Sequence, residues 1–181
     1  MVRKEFLSIL EWSFVMFIAL NMSIYGGAKF LQFGEISHYK KPLSEYKGMD
    51  IMWAFYSYSG SYAIILGLFE IIGSVLLILP KTRIIGCFVL SGILFNVILQ
   101  DYFYDVSREA MANAILYQLL IFGILWANKE KLILMITAIS IDFIFPKRKK
   151  LLLYILLIVG LFVVLTFCQS AINFLLNILK I

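Results

Sequence analysis

The chain has 181 residues and a net charge of +5; 62% of its residues are apolar and only 15% are charged. Soluble domains average about 45–50% apolar and about 25% charged residues, and a soluble protein of this size needs more polar surface. The composition therefore excludes an ordinary soluble enzyme, a disordered protein and a nucleic-acid-binding module. It predicts an all-α membrane protein with several spans, in contact with the lipid bilayer.

Metal and haem chemistry has few candidate ligands in this sequence. Cys87 and Cys168 are the only cysteines, and they lie in separate apolar runs without zinc or iron–sulfur spacing. His38 is the only histidine, so a haem held by two histidines of this chain is excluded. We therefore expect no metal site and no covalently bound cofactor.

Five apolar runs are near or above the length of about 20 residues that crosses a bilayer. They cover residues 6–33, 58–79, 84–104, 110–127 and 151–178. The first run is too long for the apolar part of a signal peptide, so we expect an uncleaved span. The first four runs predict a four-helix transmembrane bundle over residues 1–127. The last predicts a fifth, C-terminal transmembrane helix within residues 151–181.

Two segments between these runs are predicted to lie outside the hydrocarbon. Residues 34–57 form the longest polar stretch, in which Pro42 and Gly48 favour an extracytoplasmic loop or short interfacial turns. Residues 132–145 are too few for a comfortable span, and basic clusters flank them on both sides. An interfacial helix within residues 128–150 keeps both clusters on one side of the membrane, and we favour it over a sixth span.

The distribution of lysine and arginine predicts the orientation of the chain. With the N-terminus inside, ten of these residues lie on the inner side and six on the outer side. Basic residues are enriched on the cytoplasmic side of membrane proteins. We therefore expect a cytoplasmic N-terminus and an extracytoplasmic C-terminus.

Glu70 is the most informative polar residue inside a predicted span. It lies ten residues before Pro80, which places it about 15 Å from that turn and near the bilayer centre. Asn96, in the antiparallel helix that follows, lies about 20 Å from the same turn. An acid at this depth is expected to face the bundle interior. It would handle protons, anchor a bound lipophile, or fasten helices as a hydrogen-bonding group.

Lys29 belongs to a second polar pattern, near the end of the first span. Tyr25, Lys29 and Gln32 follow at intervals of four and three residues, which predicts a shared helix face. The estimated depths of Lys29 and Glu70 differ, so we predict that Lys29 snorkels outward; a contact with Glu70 is the alternative.

The third span carries four further polar residues. Asn96 and Gln100 are spaced to share one face, as are Asp101 and Asp105. Asp101 and Asp105 are candidate carboxylates at the outer mouth, for a cation, for proton uptake, or simply for helix termination and capping. The candidate intramembrane polar site is Lys29, Glu70, Asn96 and Gln100.

Several short motifs occur in an order that resembles a known family. The motifs are GGAKF at 26–30, GLFEIIGSVLL at 67–77, PKTRIIG at 80–86 and NVILQDYFYDV at 96–106. Together with MDIMWAF at 49–55, they resemble the DoxX-like family of small bacterial membrane proteins. The resemblance covers about residues 15–127.

The resemblance implies a four-helix core in the bacterial cytoplasmic (inner) membrane and a link to quinone- or thiol-based redox systems. It singles out Lys29, Glu70, Asn96 and Asp105. The favoured function is a quinone- or lipophile-binding membrane subunit of a redox system, beside a redox partner protein and without its own metal or haem centre. The alternatives are a non-catalytic structural or assembly protein and, less favoured, a small transporter; enzymatic activity and an oligomeric state are left open.

Overall fold

The computed structural model describes residues 2–139 and 148–179, and its regular secondary structure is helical. The α-helices are α1 (Val2–Ala28), α2 (Gly48–Tyr58), α3 (Gly60–Ile78), α4 (Arg83–Phe103), α5 (Arg108–Ala127), α6 (Lys129–Ile139) and α7 (Arg148–Leu179). Two short 3-10 turns, Ile36–His38 and Leu43–Glu45, precede α2. The all-α prediction is confirmed for the described residues.

Five of the described helices are long and apolar enough to cross a membrane. The candidate spans are Glu5–Ala28, Gly60–Ile78, Arg83–Phe103, Arg108–Ala127 and Lys150–Ala171. These are the five runs that the sequence predicts, and the chain is a multi-pass membrane protein. The predicted interfacial segment 128–150 begins as α6, which has 11 residues and is too short to span. Its part from 140 to 147 lies outside the described residues.

The chain divides into two compact units, residues 1–137 and 138–181. In the first unit, α1 packs against α3 and α5, and α4 packs against the same two helices. Their shared core is apolar and includes Val15, Ile18, Leu77, Leu90 and Ile121. In the second unit, α7 runs for 32 residues, and its side chains from 150 to 171 are exposed.

Glycines bring α1 and α3 into backbone contact. A Cβ atom added to Gly26 would lie 2.6 Å from the carbonyl oxygen of Gly67, and one added to Gly67 would collide with the carbonyl oxygen of Gly26. Small residues at such a crossing let two membrane helices approach closely. This contact fixes the last turn of α1 against the middle of α3.

The segment 34–57 differs from its predicted form. Its second half is helical, because α2 begins at Gly48 and runs to Tyr58. A side chain at Gly48 would collide with the backbone of Tyr104. The glycine that suggested a turn therefore allows a close approach between α2 and the end of α4, and the loop prediction is wrong for this half.

Two helices end earlier than the sequence patterns suggest. Helix α1 ends at Ala28, so Lys29 and Gln32 lie beyond it and do not share a helix face with Tyr25. Helix α4 ends at Phe103, so Asp105 lies beyond it as well. Both shared-face predictions are wrong, because each of these patterns extends past the residue at which its helix ends.

Candidate functional site

Lys29 and Glu70 form a salt bridge inside the first unit, which we call the central ion pair. The Lys29 Nζ atom lies 2.7 Å from Glu70 Oε1, and the two side chains are 13% and 2% exposed. The prediction that Lys29 snorkels outward is therefore wrong. A buried acid in a membrane requires a partner for its charge, and Lys29 supplies it.

The close approach of α1 and α3 explains why Lys29 and Glu70 meet although the sequence predicts different membrane depths for them. Helix α3 begins at Gly60, seven residues before Gly67, so the contact with Gly26 lies about 10 Å along α3 at 1.5 Å per residue. The end of α1 is therefore well inside the span of α3. Lys29 starts near the level of Gly67, and Glu70 is one helical turn further along.

The hydrogen-bonding shell of Glu70 is incomplete. Oε1 accepts from Lys29, whereas Oε2 is buried and has no hydrogen-bond partner among the described residues. A carboxylate offers about four lone-pair sites, and an unsatisfied buried acceptor costs about 1–3 kcal/mol. The charge of Glu70 is compensated, but one of its oxygens has no hydrogen-bond partner among the described residues.

The central ion pair forms the common wall of two pockets. The first, which we call the α5 pocket, has an empty volume of about 380 Å³, part of it open to the outside. The second, the α2 pocket, has an empty volume of about 560 Å³, also partly open to the outside. Three residues line both pockets: Lys29, Glu70 and Val97. The ion pair can therefore be approached from two directions.

The α5 pocket has mostly apolar walls. Besides the ion pair it is lined by Met22, Tyr25, Leu94, Val97, Ala110, Ala114 and Tyr117. The rings of Tyr25 and Tyr117 lie 6.4 Å apart, centroid to centroid. Apolar walls with a few converging polar groups are typical of sites for small organic ligands.

The α2 pocket is bordered by aromatic rings from α2 and its neighbours. Tyr56 and Tyr62 line it and stack at a centroid distance of 6.1 Å, and Phe33 stacks on Tyr56 at 4.7 Å. The Tyr56 hydroxyl donates to Gln100 Oε1 at 2.8 Å. Burial raises the pKa of the Tyr56 phenol above its ordinary value, so it remains a neutral donor at physiological pH.

The structure brings together three of the four residues of the predicted intramembrane site. Lys29 and Glu70 are bonded, and Asn96 lines the α2 pocket beside them. Gln100 lies elsewhere: it pairs with Tyr56 and lines neither of these pockets. Asn96 and Gln100 are one helical turn apart on α4. The side chain of Gln100 is bonded to Tyr56 of α2, a helix that the sequence did not reveal.

Asp101 and Asp105 lie near each other, away from the central ion pair. Both line a third pocket where α4 ends and α5 begins. Asp101 is buried in the last turn of α4, whereas Asp105 follows that helix with a φ of 47°. The structure thus separates the candidate carboxylates from the candidate intramembrane site.

A second ion pair, which the sequence analysis missed, lies where α3 turns into α4. Glu11 Oε1 accepts from Arg83 Nη1 at 2.5 Å and from Asn128 Nδ2 at 2.7 Å. The Nε of Arg83 donates to the Leu77 carbonyl at 3.2 Å, and its guanidinium lies 4.3 Å from the Trp12 ring centroid. We call Glu11, Arg83 and Asn128 the turn-side cluster. The sequence signal that could have indicated this pair was an acid and an arginine at similar predicted depths in the membrane.

The chain is similar to one protein of Bacillus subtilis (strain 168), which bears the name "Uncharacterized protein YwoB". The two are 31% identical over 132 residues, which cover 72% of this chain and 84% of YwoB. No family model and no solved structure matches the chain. The name of the relative assigns no activity, so the resemblance to the DoxX-like family stays a prediction.

Proposed function

The chain belongs to the family of YwoB, and from its own site we propose that it binds a lipophile with a polar head group at the central ion pair. The observation that carries the proposal is Glu70, which is 1% exposed and lines two pockets, and whose buried Oε2 atom has no hydrogen-bond partner among the described residues. A closely packed structural carboxylate would have both oxygens partnered.

An isoprenoid quinone is the ligand class that we favour. The apolar walls of the α5 pocket can pack against the quinone ring and its isoprenoid tail. Lys29 Nζ can donate a hydrogen bond to a ring carbonyl. In the reduced ligand, a ring hydroxyl donates to Glu70 Oε2. The pair therefore offers one donor and one acceptor to the same head group.

A quinone site makes the protein a membrane subunit of a redox system. Oxidation of a quinol releases two protons and two electrons; Glu70 is placed to receive one proton, the second passes to water, and a partner protein takes both electrons. The sequence has one histidine and two isolated cysteines, so we assign the redox centre to the partner.

We further propose that the protein resides in the bacterial cytoplasmic membrane with its N-terminus inside. The support is the excess of lysine and arginine on that side. Fusion of alkaline phosphatase or a fluorescent protein to the C-terminus tests the orientation: phosphatase activity is expected, and fluorescence of the cytoplasmic reporter would contradict it.

Quinone binding is tested on the purified full-length protein. Organic extracts are assayed for quinone by mass spectrometry, and a short-chain quinol, kept reduced, is titrated into delipidated protein by native mass spectrometry. Glu70→Gln should weaken binding at least tenfold, because a charged hydrogen bond contributes about 1.5–3 kcal/mol. Glu109→Gln, a carboxylate outside both pockets, is the matched control. Equal binding by wild type and Glu70→Gln would contradict the proposal.

Helix fastening is the second candidate role, because the ion pair adjoins the contact between Gly26 and Gly67. The exchange variant Lys29→Glu/Glu70→Lys distinguishes the two. It keeps opposite charges together, so a fastening role predicts near-normal stability and function. The binding role predicts loss of the ligand, because the free carboxylate oxygen leaves the position that it occupies on α3.

A further inference from the structure

The third pocket lies at the junction between α4 and α5, and we call it the aspartate pocket. It has an empty volume of about 460 Å³ and is lined by Asp101, Tyr102, Asp105, Ser107, Arg108 and Met111. None of these residues lines the α5 or the α2 pocket. It is therefore a separate site from the central ion pair.

Asp101 has a carboxylate oxygen without a hydrogen-bond donor among the described residues. The residue is only 8% exposed, and its Oδ2 atom is buried without a hydrogen-bond partner in the part of the chain that the structure describes. A buried, unpartnered carboxylate oxygen is energetically unfavourable. Since Asp101 lines the pocket, a guest that carries N–H donors and positive charge would satisfy it.

The end of α4 makes this half of the pocket unusually negative. The Val106 amide donates to the Asp101 carbonyl at 3.2 Å, and Asp105 has a φ of 47°. This is the arrangement of a helix end whose left-handed position is usually glycine. Cations are favoured at a helix C-terminus, yet the end of α4 carries two carboxylates. Local helix physics therefore does not explain them, whereas a cationic guest does.

The start of α5 makes the other half positive. Arg108 is the first residue of α5, and Ser107 Oγ accepts from the Ala110 amide at 3.3 Å as the N-cap. The N-terminus of a helix attracts anions. Among the described residues, neither carboxylate forms a salt bridge with Arg108. The pocket thus has a negative and a positive half that do not neutralise each other directly.

We propose that the aspartate pocket binds the phosphoethanolamine head group of phosphatidylethanolamine. The primary ammonium lies toward Asp101 and Asp105, and the phosphate lies toward Arg108 and the start of α5. The pocket is at the ends of two candidate spans, Arg83–Phe103 and Arg108–Ala127, which is the depth of lipid head groups.

Exposed aromatic rings support a lipid over a soluble zwitterion. Tyr102 and Phe103 are both exposed beside the pocket, with centroids 5.2 Å apart. Such rings are enriched at the boundary between hydrocarbon and water. A lipid anchored there presents its head group to the pocket while its tails remain in the bilayer.

The chemistry predicts selectivity among lipids with matched acyl chains. Phosphatidylcholine has a quaternary ammonium without N–H donors, so it leaves Asp101 Oδ2 unsatisfied. Phosphatidylglycerol has no ammonium group, so no positive charge of the lipid offsets the repulsion between its phosphate and the two carboxylates. We therefore expect phosphatidylethanolamine to be retained at least tenfold more than either.

The experiment measures lipid retention by native mass spectrometry of the full-length protein, after exchange into detergent with equal amounts of the three lipids. Asp101→Asn and Asp105→Gly should each reduce the preference for phosphatidylethanolamine to about that for phosphatidylcholine. Glycine is favoured at the left-handed position of Asp105, so Asp105→Gly keeps the fold while it removes a carboxylate. Glu109→Gln, which is next to Arg108 but does not line the pocket, is the matched control and should retain the preference.

The possible outcomes test both the binding site and the origin of the bound head group, a lipid or a soluble molecule. Equal retention of phosphatidylethanolamine and phosphatidylcholine by the wild type would overturn the proposal, as would an unchanged preference in both aspartate variants. Free phosphoethanolamine is added in a parallel sample and should not displace the lipid at equal concentration. Displacement at equal concentration would overturn the assignment to a lipid.

Discussion

Two ion pairs among the described residues differ in how their acids are partnered and buried. In the turn-side cluster, Glu11 accepts from two side chains, and Arg83 donates to Glu11 and to backbone carbonyls. In the central ion pair, Glu70 accepts from Lys29 alone, and its second oxygen is free. The first arrangement joins α1, α4 and the end of α5; the second adjoins two pockets.

This difference indicates which pair is structural and which binds a ligand. A fully satisfied polar network in a low-dielectric interior makes its elements rigid, whereas a partly satisfied one is unfavourable unless something completes it. Both pairs contain one acid and one base, so charge alone does not distinguish them. Both bonds to Glu11 end on its Oε1 atom, and this side chain is 17% exposed. Of the two acids, only Glu70 has a carboxylate oxygen that is buried without a hydrogen-bond partner among the described residues.

The largest expected effect is on the turn-side cluster. Arg83→Met leaves the partly buried Glu11 without its cation; breaking a fully buried pair costs about 3–5 kcal/mol, and the 17% exposure of the Glu11 side chain places this variant at the lower end of that range. We expect a large fall in the thermal unfolding midpoint of the protein in detergent, with any bound lipophile retained until unfolding. Lys81→Met, at an exposed lysine in the same turn, is the control. Similar midpoints for the two variants would show that the cluster is not structural.

The second expected effect concerns the contact that positions the central ion pair. Gly26→Ala would press a methyl group against the Gly67 carbonyl, and overpacking of this kind costs about 1–3 kcal/mol. Gly27→Ala meets open space within 4 Å, so it should be neutral or slightly stabilising. Unfolding midpoints and ligand retention are measured for both variants. Equal behaviour would contradict the role of the Gly26–Gly67 contact.

The third prediction compares the same substitution in the two pairs. Glu70→Gln leaves the largely buried Lys29 without its anion, so it should lower stability by about 3 kcal/mol, and it should weaken ligand binding at least tenfold. Glu11→Gln should also lower stability, but it should leave binding intact. Denaturation in detergent and quinol titration give both quantities. Weaker binding by Glu11→Gln but not by Glu70→Gln would remove the distinction between the pairs.

The smallest effect is expected at the border of the α2 pocket. Tyr56→Phe removes the hydrogen bond to Gln100, worth about 1 kcal/mol. The folded-state pKa of Tyr56 is raised by burial above its ordinary value of 10.0. Its contribution to stability is therefore present below about pH 10 and is lost as the pH rises through the raised pKa. The unfolding midpoint of the wild type should fall more steeply above pH 10 than that of Tyr56→Phe; parallel curves would contradict this.

The sequence was sufficient to predict the five candidate spans, because their existence follows from hydropathy alone. The five apolar runs coincide with the five candidate spans within a few residues at most ends. The exceptions have local causes. Helix α1 stops at Ala28 although its apolar run continues to Phe33, and α2 begins at Gly48, a residue that resembled a turn.

The polar contacts could not be predicted in the same way, since they depend on how helices pack. The pairing of Lys29 with Glu70 follows from the contact of Gly26 and Gly67. Sequence spacing gives the depth of a residue only when the helix end is at the membrane surface. The pairing of Glu11 with Arg83 joins residues 72 positions apart, and Glu11 lies outside the motif that contains Arg83.

The most direct measurement of the central claim is an experimental density map of the protein in a lipid nanodisc, at a resolution that shows side chains. The account predicts elongated density in the α5 or α2 pocket, with a polar atom within hydrogen-bond distance of Glu70 Oε2, in the wild type and in Glu11→Gln but not in Glu70→Gln. Pockets closed by protein side chains, or occupied by water alone in the wild type, would contradict it.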